Sequence, residues 1–213
     1  MSIEPRKDRP AAAAVYADVI GSKAIADRGL LAGSLEHAVE TLNQAFRPAL
    51  SEHFAIVAGD ELRGTLTEPP SAPLCVSVMR EELAPIGVRV AVVVDSGRHA
   101  PSSGHGRHRL PTADEALDSL KKSGRLTSYV GTGPAGDLLL NAVCGLVEPL
   151  LLERSEKQWE AIRAYRRLGR QRAVAERLGV TRQSIGDRLM AGNWRAVAEA
   201  DAAVAGYLSY VCG

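Results

Sequence analysis

Residues 171–189, QRAVAERLGVTRQSIGDRL, constrain the fold more than any other stretch, because their spacing predicts two short helices joined by a tight turn. Ala173, Val174 and Leu178 give the first helix one apolar face. Gly179 follows, the residue most at home in the left-handed backbone that ends a helix. Val180 fills the corner, and Thr181 is an N-cap for the second helix, whose Ile185 and Leu189 lie four apart on its inner side. Ala175 falls at the crossing, where only a small side chain lets the helices approach. Arg182, Gln183, Ser184, Asp187 and Arg188 remain outward, and such groups bond base edges and phosphates. With Arg170, Arg172, Arg177 and Thr181 they form the expected contact set of a helix-turn-helix on double-stranded DNA.

Charge placement agrees with that expectation. The chain of 213 residues carries a net charge of +1, yet from Ser155 onward 10 Lys/Arg face 6 Asp/Glu, while the remainder holds 16 against 19. A basic C-terminal part beside a mildly acidic body suits a nucleic-acid contact confined to one end. Hydrophobic residues at 46% with charged residues at 24% fit a globular chain. No uninterrupted apolar run approaches the roughly 20 residues that a membrane helix needs, so no membrane partner is expected. The N-terminal MSIEPRKDRP is charged, and the Ala run after it turns polar too soon for a signal peptide. Cys75, Cys144 and Cys212 are odd in number and widely spaced, which predicts reduced thiols in a cytoplasmic protein.

Residues 1–12 read as a disordered lead-in, 13–136 as an α+β domain, 137–154 as a linking helix and 155–213 as the all-α helix-turn-helix domain. Within the first domain, Val15–Ile20 predicts a central strand and 34–50 a helix. HFAIVA at 53–58, Gly59-Asp60 and 62–66 predict a hairpin. A helix over 71–83, the strand VRVAVVV at 88–94, a helix from Thr112 to Ser123 and a short strand at 126–130 complete the order. Thr112 with Glu115, and Ser155 with Gln158, spell capping boxes. The polar loop at 96–111 holds His99, His105 and His108 without the pairing a zinc site uses. That alternation predicts an antiparallel ferredoxin-like sheet with helices on one face. The last helix, 194–211, carries Val197, Val204, Leu208 and Val211, which either pack back or dimerise.

Two acidic positions stand out in the first domain. Asp18 interrupts an apolar strand, where an unpaired carboxylate is costly. Asp60 and Glu61 sit at the hairpin tip, which this strand order brings beside Asp18. Two carboxylates on neighbouring strands suit Mg²⁺, with Gly21 and Gly59 leaving room for phosphate. Plain structural roles in a strand end and a turn account for the same residues.

YADVIGSK at 16–23 and AGDELRGTL at 58–66 resemble the paired motifs of the SatD family of bacterial proteins. They are similar also to the first-strand Asp and hairpin Gly-Asp of class III nucleotidyl cyclases and GGDEF diguanylate cyclases, and VRVAVVVDSG at 88–97 is similar to the strand that follows in both. The resemblance covers roughly residues 14–125 plus the tail domain. It implies a cyclase-like palm, with Asp18, Asp60 and Glu61 as metal ligands. Ile20, Gly21, Ser22 and Lys23, with Gly59, would then bind nucleotide phosphate. The helix at 112–123 offers only Lys121 and Lys122 where active cyclases place Asn and Arg. No catalytic residue is therefore assigned. Three functions are open: a DNA-binding regulatory homodimer whose first domain binds nucleotide or metal, a Mg²⁺-dependent nucleotidyl cyclase or transferase, and a protein-interaction module.

Overall fold

The computed structural model describes residues 11–57, 59–97 and 110–213. The expected disordered lead-in and the histidine loop therefore lie largely outside the described residues. Five strands, β1 (Ala12–Val19), β2 (Leu50–Val57), β3 (Glu61–Leu66), β4 (Val88–Asp95) and β5 (Thr127–Val130), form one sheet in the order β2-β3-β1-β4-β5. β1 runs antiparallel to β3 and β4, and β2 and β3 are an antiparallel hairpin. β5 pairs with β4 in parallel, so the sheet is mixed rather than antiparallel throughout. The reason is the crossover helix α3 (Ala113–Ser123), which returns the chain to the end of the sheet where β4 began.

Helices cover both faces, not one. α1 (Arg28–Ala45) and α2 (Ala72–Leu83) lie over the side bearing Val90, Val92 and Val94. α3 lays Ala116, Leu117 and Leu120 on Ala91 and Val93 from the other side. The apolar run of β4 is the visible cause: a strand with no polar alternation must be covered twice. α1 starts at Arg28, earlier than the apolar spacing predicts, because Asp27 accepts the Leu30 N–H at 2.8 Å. In the hairpin, Gly64 is required by close approach, since a Cβ there would stand 2.7 Å from the Phe54 ring.

α4 (Pro134–Leu152) closes the free edge of β5 with side chains. Asn141 Oδ1 accepts from Tyr129 N–H at 2.9 Å while its amide donates back to Tyr129 O at 2.8 Å, copying a strand's pairing. Glu148 accepts from the N–H groups of Leu126 and Thr127. Asp137 accepts from those of Gly131 and Thr132. A sheet edge is thereby satisfied without another strand. These polar residues interrupt the sequence run, yet the 19-residue helix holds an 18-residue window of mean hydropathy 1.6 and is long and apolar enough to cross a membrane by length and composition.

Four more helices follow: α5 (Glu156–Leu168), α6 (Gln171–Leu178), α7 (Arg182–Ala191) and α8 (Trp194–Cys212). α5, α6 and α7 share a separate core of Ile162, Val174, Ile185 and Leu189, walled by Tyr165 and Trp194 edge to face. Of the two expectations for the last helix, back-packing is what occurs: Val204 and Leu208 join the core of the sheet domain. Two ion pairs tie the halves together, the first of them bidentate. Arg166 grips Glu81 at 2.6 and 2.7 Å, and Arg167 grips Glu82 at 2.8 and 2.7 Å.

Beneath that junction, Ser77, Arg80, Tyr129, Cys144, Asp201 and Val204 line a small cavity of about 30 Å³. Ser77 donates to Asp201 at 2.6 Å, and burial nevertheless pushes the Asp201 carboxyl up to about 6 from 3.8. The folded protein thus keeps this proton to a higher pH than the unfolded chain does. Stability conferred by the protonated group is present below about pH 4 and lost as pH rises through about 6, a fall on the order of 2–3 kcal/mol. Asp201→Asn should remove that pH dependence and raise the midpoint of urea unfolding at neutral pH. Parallel pH profiles for the two proteins would show that the burial cost is absent.

Candidate functional site

Local chemistry builds the α6–α7 pair. Gly179, at φ 65°, ends α6 in left-handed backbone. Thr181 Oγ1 accepts the Ser184 N–H at 3.1 Å and so starts α7. Val174 and Ile185 are fully buried and Ala175 is buried at 6% exposure, so the two helices close on a dry seam. Arg182, Gln183 and Asp187 are exposed along α7, while Ser184 is half-buried. Arg170, Arg172 and Arg177 are exposed on and beside α6.

Arg188 is placed differently from the other basic residues. Its side chain is 19% exposed and reaches Glu160 on α5 at 3.4 Å, bracing the bundle. Arg172 meets Glu176 one turn on at 3.1 Å, a surface pair that holds little energy. An open groove beside α7 is lined by Thr181, Gln183, Ser184 and Asp187 together with Ser155, Lys157 and Gln158 from the start of α5. Lys157 is the basic residue that sequence spacing missed. It belongs to α5, and only the fold brings it beside α7.

The acidic positions converge differently from the sequence expectation. The β1–β3 register sets Asp18 opposite Glu61, not Asp60. Asp60 lies in the turn after Gly59 (φ 80°), and its carbonyl accepts the Val19 N–H at 3.2 Å. Asp18 is buried at 8% exposure; Lys121 Nζ reaches it at 3.0 Å and an Arg89 nitrogen at 3.8 Å. Hydrogen bonding to Asp18 raises the pKa of Lys121. Glu61 takes Arg63 at 2.9 Å, and Arg63 reaches on to Asp114 at 3.1 Å. Each carboxylate of the cross-strand pair is therefore already matched by a cation. That arrangement does not present the open oxygen ligands that Mg²⁺ takes. Among the described residues no group of three or more His, Cys, Asp or Glu is placed to hold a metal.

The expected phosphate turn follows directly. Ile20 N–H donates to Gly87 O at 2.8 Å, Gly21 (φ 66°) is exposed, and Ser22–Ala24 make one 3₁₀ turn. Lys23 is exposed, whereas Ser22 is buried and its carbonyl accepts from Arg28 at 3.0 Å.

No protein-family model matches the chain, and no curated protein matches it. A solved structure found by comparison is a regulator of polyketide synthase expression from Bifidobacterium adolescentis. It is 15% identical, over 94% of this chain and 84% of that one, with a TM-score of 0.25. A likeness so distant carries no argument about this chain.

Proposed function

We propose that this chain is a DNA-binding regulatory protein of the SatD type. In this reading α6 and α7 are a helix-turn-helix, α7 enters the major groove, and the sheet domain is a ferredoxin-like, cyclase-related platform. What carries it is the outward surface of α7, where Arg182, Gln183 and Asp187 stand exposed over a closed core. A helix presented in this way offers donors and acceptors at the spacing of base edges. Arg170, Arg172, Arg177 and Lys157 flank it as phosphate contacts. The order β2-β3-β1-β4, with β1 antiparallel to both neighbours, supports the ferredoxin-like reading, and β5 extends it. The protein acts as a homodimer, since one such motif covers only half of a two-fold operator.

The test is fluorescence anisotropy on mixed-sequence duplex DNA across a salt series. With about four phosphate contacts, log affinity should fall against log salt with a slope of about −3 to −4. A flat response would place the DNA contact elsewhere or remove it.

The cyclase or transferase alternative draws on one observation, the cross-strand pair Asp18 and Glu61. Lys121 and Arg89 stand against it. Under the regulatory reading Ile20–Lys23 and Gly59 at most hold a nucleotide. Millimolar Mg²⁺ should then leave the melting temperature unchanged. Lys121→Met should lower it by about 1 kcal/mol of stability, because Asp18 loses its nearest cation while Lys121 is partly solvated. A Mg²⁺-dependent rise lost in Asp18→Ala, with ATP or GTP converted to a cyclic or linked product, would establish the enzyme instead.

A further inference from the structure

Helix α4 is amphipathic with its faces reversed. Asp137, Asn141 and Glu148 point inward and are consumed by the backbone around β5. The outward face carries Leu138, Leu139, Leu146 and Leu152 at 74, 51, 77 and 70% exposure. Exposed Ala142 and Pro149 lie between them. An apolar strip of this extent, on the order of 500 Å², matches the largest patch a typical monomer exposes, and such patches are often functional.

We infer that α4 is the homodimer interface, packing antiparallel against α4 of a second copy. Leu139, Ala142, Leu146 and Pro149 follow the alternating four-and-three spacing of a helix that pairs with another helix at a shallow crossing angle. Between Leu138 and Leu152 the sole charge on the helix itself is Glu148, which is buried, and the half-buried Arg125 guanidinium beside Gly145 is held by Asn141 O at 2.9 Å. A two-fold axis near Leu146 sets Leu139 of one copy beside Leu152 of the other. The antiparallel arrangement also opposes the two helix dipoles, which electrostatics favours. The two-fold contact counts the strip twice, burying on the order of 1,000 Å², the lower range of specific interfaces. A membrane surface fits less well, since helices that lie on lipid carry Lys and Arg on their polar face, and α4 carries none. α8 is the weaker seam because Val197, Val204 and Leu208 are buried within the protomer.

This deepens the DNA-binding reading and rests on it for its purpose, but the contact itself is measured without DNA. Sedimentation velocity on the full chain at tens of micromolar should show a dimer. Leu146→Glu should weaken dimerisation by roughly 100-fold while leaving the far-ultraviolet circular dichroism of the folded chain unchanged, because a carboxylate is forced into a seam that is exposed in the monomer. Leu146→Cys, close to the axis, should give a disulfide-linked dimer on mild oxidation that the wild-type chain does not give. A wild-type monomer, an unaffected dimer in Leu146→Glu, or flotation of the wild-type chain with neutral phosphatidylcholine vesicles would overturn the interface. Those results leave the anisotropy of α7 on DNA untouched, so the two ideas fail separately.

Discussion

Arg166→Ala should cost on the order of 3 kcal/mol, enough to lower the melting temperature by about 5–10 °C in a chain of this size. Arg166 holds both oxygens of Glu81, whose side chain is 3% exposed, and its guanidinium also lies 4.6 Å from the centre of the Trp194 ring. Burial already raises the Glu81 pKa, and Arg166 is the main opposing influence. Truncation leaves a buried acid beside Glu82 with its chief cation gone, and it removes the contact that orients α5 on α2. The double variant Glu81→Gln with Arg166→Met should be less damaging than Arg166→Ala alone, because no orphaned charge remains. Urea unfolding of the three proteins measures this. Equal losses in single and double variants would mean that an orphaned Glu81 charge is not the source of the cost.

The largest functional effect is expected on α7. Replacing Arg182 and Gln183 together with alanine should weaken binding to a selected DNA site by about 100-fold, since each well-made base contact is worth about 1–3 kcal/mol. Binding to mixed DNA should fall much less. Arg172→Ala with Arg177→Ala should do the converse, reducing affinity for all sequences and flattening the salt slope by about two. Among the arginines of α6 and α7, Arg188→Ala should disturb DNA binding least and stability most, because Glu160 already holds it. A selected site bound equally by wild type and by the Arg182/Gln183 variant would move recognition off α7.

What could be read in the sequence was the chemistry that acts within a few residues. The capping boxes at Thr112 and Ser155 both form, with Glu115 and Gln158 closing them. Gly179 and Thr181 make the turn that their spacing predicts. Pairings between distant segments were not legible. The parallel partner of β4 depends on how α3 crosses over, and apolar strand residues look alike whichever neighbour they meet. Asp18 in an apolar strand calls for a partner, but Arg89 and Lys121 reach it from another strand and another helix. Which of the two acids at the hairpin tip faces Asp18 is likewise set by the β1–β3 register, which pairs it with Glu61. α4 hid its role because Asp137, Asn141 and Glu148 resemble a solvated helix face until β5 is placed against them.

Site-specific photocrosslinking tests the central claim most directly. A benzoylphenylalanine at position 183 on α7 and, as control, one at position 30 on α1, where Leu30 is 64% exposed, are each irradiated with bound duplex DNA. A crosslink to bases from position 183 and none from position 30 is the expected result. Crosslinks of equal yield at both positions, or from position 30 alone, would contradict it.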